Sequence, residues 1–226
     1  MNHSSVEACL ALMQTLITCR KEPVCVRLRE IRHKHSMLHE DVLLLVYHLS
    51  KTAPGDILEI GAYLGGSTIA AALGTIDSNR PRKMITVEPG GAHQHPRLPS
   101  KDILRDLKKN LAKNRVAELV TIIEGWSGNE ETVAAVHAQL QPRSVGLLIV
   151  DADGNFERDL GLYQRLLLPD CWLVVDDYYS PKEEGKAVRI KPQVDALVAA
   201  GQLQPLGIYG WGTWIGRWLG GAAAAP

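Results

Sequence analysis

The sequence of 226 residues lacks several features that would place it in a specialised class of protein. It has only four cysteines, none of them in a Cys-x-x-Cys pair, which is too few for a disulfide scaffold of this size. Its 25 basic residues balance 25 acidic ones, so it has no field of one sign to collect nucleic acid or coat an anionic membrane. It also lacks a basic leader before an apolar segment, and any run of about 18 apolar residues. These absences predict a soluble, cytoplasmic protein that binds neither nucleic acid nor a membrane.

The sequence does have a regular alternation of short apolar runs with amphipathic segments of helical length. This alternation predicts an α/β fold with a Rossmann-like, doubly wound sheet of seven strands. The predicted strands are residues 56–60, 83–87, 119–123, 145–150, 171–175, 204–209 and 212–216. The predicted helices are residues 6–18, 38–49, 67–76, 100–114, 129–139 and 156–168, with Ser100 as a helix N-cap.

The two ends of the chain are predicted to differ from its middle. Only Gly210 and Trp211 separate the last two predicted strands, which favours a hairpin and therefore one antiparallel strand in a mostly parallel sheet.

Residues 1–36 form a predicted helical appendage to a main domain at 37–219. The N-terminal helices could cap the ligand cleft or build the contact of a homodimer or a larger homo-oligomer. Residues 220–226 are low in complexity, which predicts a disordered tail.

The turn at residues 58–68 follows the first predicted strand, where doubly wound sheets bind their ligands. Gly61 and Gly65 let the backbone approach a ligand, and Ser67 offers a hydroxyl beside exposed helix N–H groups. A site for a nicotinamide dinucleotide would need a glycine at the position of the bulky Tyr63. The turn therefore predicts a ligand without a pyrophosphate.

Two further side chains extend this predicted site. Glu88 ends the second strand, where a carboxylate can accept hydrogen bonds from the ribose diol of an adenosine-containing ligand. The alternative for Glu88 is a strand-end glutamate in solvent. Trp126 lies between Gly125 and Ser127, which mark a turn, so its indole face can stack on an aromatic base. The alternative for Trp126 is a core tryptophan at the start of a helix.

These motifs resemble, in order and spacing, those of the class I S-adenosylmethionine-dependent methyltransferases. The chain is most similar to the catechol O-methyltransferase-like group and the related bacterial small-molecule O-methyltransferases. The resemblance extends from about Leu38 to Trp214. The motifs that carry it are residues 58–68, Val87 with Glu88, residues 124–127, residues 149–153 and residues 175–178.

The resemblance implies a binding site for S-adenosylmethionine. The methionine part would be framed by Glu59, Gly61 and Tyr63, with Ser67 at its carboxylate, and the adenine would lie against Trp126. The residues implied for the whole cofactor site are Glu59, Gly61, Ala62, Tyr63, Gly65, Ser67, Glu88, Gly125, Trp126, Ser127 and Asp151.

Carboxylates end two neighbouring predicted strands. Asp151 follows the fourth strand, Asp176 and Asp177 follow the fifth, and Asp153 lies beside them. Both strand ends open on the same edge of the sheet as the glycine-rich turn. Because four ionised groups in one cleft would repel one another, either some are protonated or a cation is present. Oxygen ligands of this kind favour Mg²⁺ or Ca²⁺ over zinc.

The resemblance implies that the cation is Mg²⁺. Catechol O-methyltransferase-like enzymes hold it with an acidic residue after the fourth strand and an adjacent pair after the fifth, which are the places of Asp151, Asp176 and Asp177. The last of the pair is usually Asn in the catechol group, and an Asp there is closer to antibiotic-pathway relatives. The alternative is that these aspartates cap loops and position the cofactor, as in metal-free relatives.

The catalytic base is the weak point of the resemblance. Methyl transfer from a sulfonium is an in-line displacement, so the site must align the nucleophile and help to remove its proton. Related enzymes place a Lys or His two or three residues beyond the first metal aspartate, where this chain has Gly154 and Asn155. The polar loop at residues 90–99 suits a lid and carries two histidines. The catalytic candidates are Asp151, Asp153, His93 and His95, with Lys182 or Lys186 after the fifth strand.

The sequence thus predicts a Mg²⁺-assisted O-methyltransferase of a hydroxylated small molecule, such as a catechol-like ring or a sugar. Tyr178 and Tyr179 are candidates to line its substrate pocket or, alternatively, to pack in the core. The second interpretation is a metal-independent transferase acting on N or O. The third is a non-catalytic module that keeps the cofactor pocket, because the base after Asp151 is missing. A dehydrogenase is a distant fourth.

Overall fold

A computed structural model describes residues 3–182 and 184–220 of the chain. The strands are β1 (Asp56–Ile60), β2 (Met84–Glu88), β3 (Thr121–Glu124), β4 (Val145–Val150), β5 (Leu167–Val175), β6 (Leu203–Tyr209) and β7 (Thr213–Trp218). They form one seven-stranded sheet in the order β3-β2-β1-β4-β5-β7-β6. Strand β7 runs antiparallel to both β5 and β6, and the pairs among β1 to β5 are parallel. This topology confirms the predicted Rossmann-like sheet with one reversed strand.

Helices cover both faces of the sheet. They are α1 (His3–Cys19), α2 (Pro23–His35), α3 (Glu40–Thr52), α4 (Gly66–Ser78), α5 (Ile103–Lys113), α6 (Glu130–Gln139), α7 (Phe156–Tyr163) and α8 (Ala187–Ala199). Short 3₁₀ turns occur at Ala117–Leu119 and Gln164–Leu166. Because helices lie on both faces of the sheet, β4 is buried along its whole length. This burial explains why its sequence is apolar without interruption.

The apolar side chains form one core on each face of the sheet. The first core joins helices α1 to α5 to the sheet, and Leu28, Leu44 and Ile57 are among its buried members. The second lies under α6, α7 and α8 and includes Phe156 and Tyr163. Since α1 and α2 contribute to the first core, they are packed against the sheet layers and not separate from them. The predicted division at residue 36 and the predicted homo-oligomer both stay predictions.

Two predicted helix boundaries are wrong. The helix predicted at 156–168 ends at Tyr163, and β5 already begins at Leu167. Pro169 keeps the helix from reaching Leu168, because a proline disfavours helical geometry in the residue before it, and a 3₁₀ turn at Gln164–Leu166 leads into β5. Ser100 is not the N-cap of α5, since the Asp102 carboxylate accepts the N–H of Arg105 at 3.0 Å.

Two helices, α2 and α8, are not among those predicted from the sequence. In α2 the buried positions Cys25, Leu28 and Ile31 are separated by basic residues, so the apolar pattern is weak. In α8 a proline, Pro192, stands inside the helix. The hairpin link is also one residue longer than predicted, because β7 begins at Thr213.

The predicted disordered tail lies almost entirely outside the described residues, which end at Gly220. Within residues 3–182 and 184–220, no helix is both long and apolar enough to cross a membrane.

Candidate functional site

The carboxyl ends of the parallel strands open into a cavity of about 370 Å³, which we call the strand-end cleft. Gly61 lines it after β1, Glu88 at the end of β2, Trp126 after β3 and Asp151 after β4. This is the edge at which doubly wound sheets bind ligands. The fold therefore gathers residues from four strands around one cavity.

Gly61 allows β1 and β4 to approach closely at the floor of the cleft. Its φ of 90° lies in the region that favours glycine. A Cβ atom at this position would lie 1.9 Å from the backbone oxygen of Asp151. Glycine is therefore required here by the packing of two strand ends, in addition to any approach by a ligand.

Glu88 holds the turn after β1 in place. Its Oε2 accepts the backbone N–H of Ala62 at 3.1 Å and of Tyr63 at 2.7 Å, and its Oε1 accepts the N–H of Gly90 at 2.9 Å. Burial raises the pKa of Glu88, and these three hydrogen bonds oppose the rise. Glu88 is almost fully buried, which excludes the alternative of a strand end in solvent. Since Oε2 already accepts two hydrogen bonds, the remaining acceptor capacity of Glu88 is on Oε1, which accepts one.

Glu59 lies behind the turn and is fully buried. Its Oε2 accepts hydrogen bonds from the hydroxyls of Thr68 at 2.6 Å and Thr86 at 2.8 Å, and the nearby hydroxyl of Ser67 also favours the ionised form of this carboxyl group. Its Oε1 is buried and has no hydrogen-bond partner in the described structure. Burial raises the pKa of Glu59 despite the three hydroxyl donors.

Trp126 and Ser127 form the far wall of the cleft. The Trp126 side chain is 57% exposed, so it is not a core tryptophan and its ring is free to stack. Ser127 is buried, and its hydroxyl donates to Asp159 at 2.8 Å. Arg158 donates to the Ser127 hydroxyl at 2.9 Å and pairs with Asp153 at 2.9 Å, so it joins the loops after β3 and β4.

A second, smaller cavity of about 180 Å³ lies beside the cleft, under the turn between β6 and β7. We call it the hairpin pocket. Its walls carry the aromatic side chains of Tyr179, Trp211 and His39, and the rings of His39 and Trp211 meet edge to face at 5.1 Å. Asp151 and Lys186 line both cavities. The two cavities therefore meet at a charged pair.

Three aspartates converge at this junction, as predicted. One carboxylate oxygen from each of Asp151, Asp176 and Asp177 lies within 4.8 Å of the other two. Lys186 lies among them, with its Nζ 3.5 Å from Asp151 Oδ1 and 3.1 Å from Asp177 Oδ2. Thr213 Oγ1 donates a short hydrogen bond to Asp176.

The electrostatics of the junction reflect burial and like charge. Burial and the charges of Asp151 and Asp177 raise the pKa of Asp176 to about 7. Burial also raises the pKa of Asp151, while Lys186 opposes the rise. Burial lowers the pKa of Lys186, but the carboxylates of Asp151 and Asp177 outweigh this effect and raise it. A cation is thus favoured at the junction, and Lys186 already supplies one.

The structure separates the candidate bases. His93 lines the strand-end cleft and meets the Tyr63 ring edge to face at 5.6 Å. His95 lies outside the lining, and its Nδ1 accepts the N–H groups of Arg97 at 3.2 Å and Leu98 at 3.1 Å, so it holds the loop. The structure thus favours His93 over His95 as a group that can reach a ligand.

Asp153 lines the cleft but is a weak base. Burial raises its pKa, yet the hydrogen bonds from Arg158 and Asn155 together hold the pKa below its usual value. Lys182 lies away from the site, with a side chain that is 78% exposed and 3.9 Å from Glu184. Of the two lysines after β5 that are predicted as candidates, Lys186 lies in the site.

The predicted cofactor residues fall into two groups. One group lines the strand-end cleft: Gly61, Tyr63, Glu88, Trp126, Ser127 and Asp151. The other group lies behind it: Glu59, Ala62, Gly65, Ser67 and Gly125. Ser67 in particular is buried near Glu59, so its predicted contact with a ligand carboxylate stays a prediction. Tyr178 is buried and donates to Asp195 at 2.7 Å, whereas Tyr179 lines the hairpin pocket.

Several residues of the site are not among those predicted from the sequence, and these include Arg158, Trp211, His39 and Thr213. Trp211 carried a local signal, because it is a large aromatic residue between two glycines in a predicted hairpin turn. His39 and Thr213 carried none, since only the fold brings them to the pocket.

Comparison with known proteins identifies the family of this chain. The sequence model of a family of methyltransferase domains matches residues 58–178, which include the strand-end turn and all three aspartates. No curated protein matches the chain in sequence.

Several solved structures share the fold. An O-methyltransferase from Bacillus cereus in complex with SAH is 14% identical, with a TM-score of 0.60, and 97% of this chain and 92% of that chain are covered. The O-methyltransferase TomG from Streptomyces achromogenes, involved in tomaymycin synthesis and solved with SAM, is 16% identical, with a TM-score of 0.60 and coverage of 89% and 91%. A candidate caffeoyl-CoA O-methyltransferase from Staphylococcus aureus is 17% identical, with a TM-score of 0.64 and coverage of 92% and 99%. At these identities the likeness shows the fold alone.

Proposed function

The chain belongs to the methyltransferase-domain family, and from this premise we propose that it transfers the methyl group of S-adenosylmethionine to a hydroxyl oxygen of a small molecule. The observation that carries the proposal is the junction of the two cavities. A methyl donor in the strand-end cleft and an acceptor in the hairpin pocket would meet at Asp151 and Lys186, which line both. An in-line displacement needs this kind of shared wall, because donor and acceptor must be held end to end.

The strand-end cleft suits the cofactor. Glu88 presents a buried carboxylate whose Oε1 can still accept a hydrogen bond from a ribose, and Trp126 offers an exposed ring to an adenine. The unpartnered Oε1 of Glu59 lies behind the turn at Gly61, where it can compensate a positive charge on the ligand. When bound, S-adenosylmethionine supplies an electrophilic methyl group. The family neighbours TomG and the Bacillus cereus enzyme carry SAM and SAH in their structures.

The junction suits a divalent cation. The donor set of Asp151, Asp176 and Asp177 consists of carboxylate oxygens, which Mg²⁺ prefers, and they lie close enough together to share one ion. A bound Mg²⁺ would polarise the acceptor hydroxyl and lower its pKa. The residues of this chain would then hold the acceptor oxygen beside Asp151 and close the pocket to water.

The hairpin pocket indicates the shape of the acceptor. Its aromatic walls, Tyr179, Trp211 and His39, favour a flat ring or the apolar face of a sugar. The carboxylates at its base favour a hydroxyl as the reacting group, since a hydroxyl can donate a hydrogen bond to them. We propose a hydroxylated ring compound as the acceptor.

One observation favours a metal-independent transferase as the second candidate. Lys186 already places a positive charge among the aspartates, 3.1 Å from Asp177, and an ammonium group can bind the acceptor oxygen without a metal ion. In this case the enzyme would turn over in the presence of a chelator.

Calorimetry with S-adenosylhomocysteine tests the first step of the proposal. We expect binding to the full chain at a stoichiometry of one. Binding of NADH in its place would remove the methyltransferase proposal and return the dehydrogenase interpretation. A screen for methyl transfer to catechols, phenols and glycosides then identifies the acceptor, and cofactor binding with no turnover on any of them would favour a non-catalytic module.

Chelation and paired substitutions test the metal. We expect EDTA to abolish turnover and added Mg²⁺ to restore it. The double variant Asp176→Asn, Asp177→Asn should lose the metal-dependent activity and keep its affinity for S-adenosylhomocysteine, because neither side chain lines the strand-end cleft. Full turnover in EDTA would support the metal-independent candidate.

A further inference from the structure

Lys186 occupies an unusual place for a lysine. It is the N-cap residue of α8, where the helix dipole is positive and a cation is disfavoured. The matched methyltransferase domain ends at residue 178, so Lys186 lies outside the segment that the family model assigns. Some other interaction must therefore hold its ammonium group at this helix end.

The aspartate cluster supplies that interaction. The Lys186 ammonium is 3.1 Å from Asp177 and 3.5 Å from Asp151, and it belongs to the walls of both cavities. Two of the three carboxylates that could ligate a divalent ion are thus already paired with a positive charge. An ammonium and a metal ion at this spacing would repel each other, since like charges so close together interact strongly even near a protein surface.

We propose that Lys186 is the resident cation of the aspartate cluster and that a divalent ion binds there only by displacing its ammonium group. The inference rests on the proposed function, because the ion is the one proposed for methyl transfer. The affinity for the metal ion is then set by its competition with the Lys186 ammonium. When no metal ion is bound, the ammonium still compensates part of the negative charge of the cluster.

The chain gives the ammonium group room to leave. The lysine side chain itself is 39% exposed and has a flexible stem, so it can turn toward either cavity. A displaced ammonium would remain in the wall between the two cavities and near the reacting groups.

Titration of the full chain with Mn²⁺, followed by calorimetry and by the electron paramagnetic resonance signal of free Mn²⁺, tests the inference. We expect Lys186→Gln to bind Mn²⁺ about tenfold more tightly than the unaltered chain, or more, because the competing charge is gone. Lys186→Arg should bind no more tightly than the unaltered chain. The matched control is Lys182→Gln, which removes a charge from the same loop at a side chain that is 78% exposed, and its affinity should not change.

Thermal unfolding gives a second measurement that does not depend on activity. Without metal, Lys186→Gln should unfold at a lower temperature than the unaltered chain, because Asp151 and Asp177 lose their partner, and Mn²⁺ should raise its unfolding temperature by more. Should the variant fold only in the presence of Mn²⁺, that result supports the inference as well.

The outcomes separate this inference from the proposed metal role. Equal Mn²⁺ affinity in Lys186→Gln and the unaltered chain would overturn the inference and leave the metal role intact. Tight binding in Lys186→Gln alone would support the inference and favour the metal-independent candidate for the natural enzyme. Absence of Mn²⁺ binding in every variant would overturn both, while binding of S-adenosylhomocysteine would still report on the cofactor site.

Discussion

The two halves of the site are held together by different kinds of contact. In the donor half, at the ends of β1, β2 and β3, backbone N–H groups bond to Glu88 and hydroxyls bond to Glu59. In the acceptor half, at the ends of β4 and β5 and at the β6–β7 hairpin, charged side chains such as Asp177 and Lys186 balance one another. Backbone contacts set a shape before the ligand arrives, whereas charge pairs can exchange partners when an ion or a substrate binds. We therefore expect the donor half to keep its shape when a ligand binds, and the acceptor half to rearrange its ion pairs.

The largest effect should come from the packing of the donor half. Gly61→Ala adds a Cβ atom 1.9 Å from the Asp151 backbone, so strands β1 and β4 must separate. We expect it to lower the free energy of unfolding by about 4 kcal/mol or more, measured by urea denaturation. The control is Gly91→Ala, which has the same φ of 90° but no atom within 4 Å of the added Cβ, and it should cost about 1–2 kcal/mol. Equal costs would show that backbone strain, and not the contact between strand ends, decides the requirement for glycine.

The next effect concerns the affinity for the cofactor. Glu88→Gln replaces one acceptor oxygen with an NH₂ group, which must then face a backbone N–H of Tyr63 or Gly90. We expect S-adenosylhomocysteine to bind about 10–100-fold more weakly by calorimetry. The control is Glu124→Gln, the exposed glutamate that pairs in register with Glu88 at the end of β3, and it should bind normally. Loss of affinity in both variants would indicate that the net charge at this edge of the sheet, and not the hydrogen bonds of Glu88, determines the affinity for the cofactor.

A crossed pair of substitutions tests whether the two halves act separately. Trp126→Ala removes a ring from the strand-end cleft, and we expect about tenfold weaker binding of S-adenosylhomocysteine with an unchanged KM for the acceptor. Trp211→Ala removes a ring from the hairpin pocket and should raise the acceptor KM while the cofactor affinity stays the same. If either variant changes both quantities, the division into two halves is wrong.

The same division explains what could be predicted from the sequence. The donor half is made mainly of short segments that follow their own strands, so the turn at residues 58–68, Glu88 and Trp126 could be placed from local patterns. The aspartates could be placed for the same reason, since each ends a strand.

The rest of the acceptor half depends on contacts that no local pattern records. Lys186 meets Asp151 across 35 positions of sequence, and the side chain of Trp211 packs on His39 from the start of α3. Helix α8, which positions Lys186, contains Pro192 and so lacks a clear helical signal. The role of Arg158 was equally hidden, because its partners Ser127 and Asp153 follow different strands.

The smallest effect should be a change in the pH dependence of stability, and it concerns the buried charge of the donor half. Burial raises the pKa of Glu59 in the folded protein. A folded-state pKa above the unfolded value favours the native state while the group is protonated, so this contribution is full below the usual pKa of a glutamate, about 4.3, and is lost as the pH rises through the raised value. Glu59→Gln cannot ionise, and the free energy of unfolding should fall less with rising pH than in the unaltered chain.

Urea denaturation of the metal-free protein at pH 5 and pH 8 measures this difference, with the exposed Glu118→Gln as the control that should keep the original slope. An unchanged slope in Glu59→Gln would mean that the three hydroxyl donors fully compensate the buried carboxylate. The donor half would then contain no unbalanced charge, and the contrast with the acceptor half, which needs a cation, would become sharper. A smaller slope would show that both halves store buried negative charge, and that a positively charged ligand stabilises the donor half as Lys186 stabilises the acceptor half.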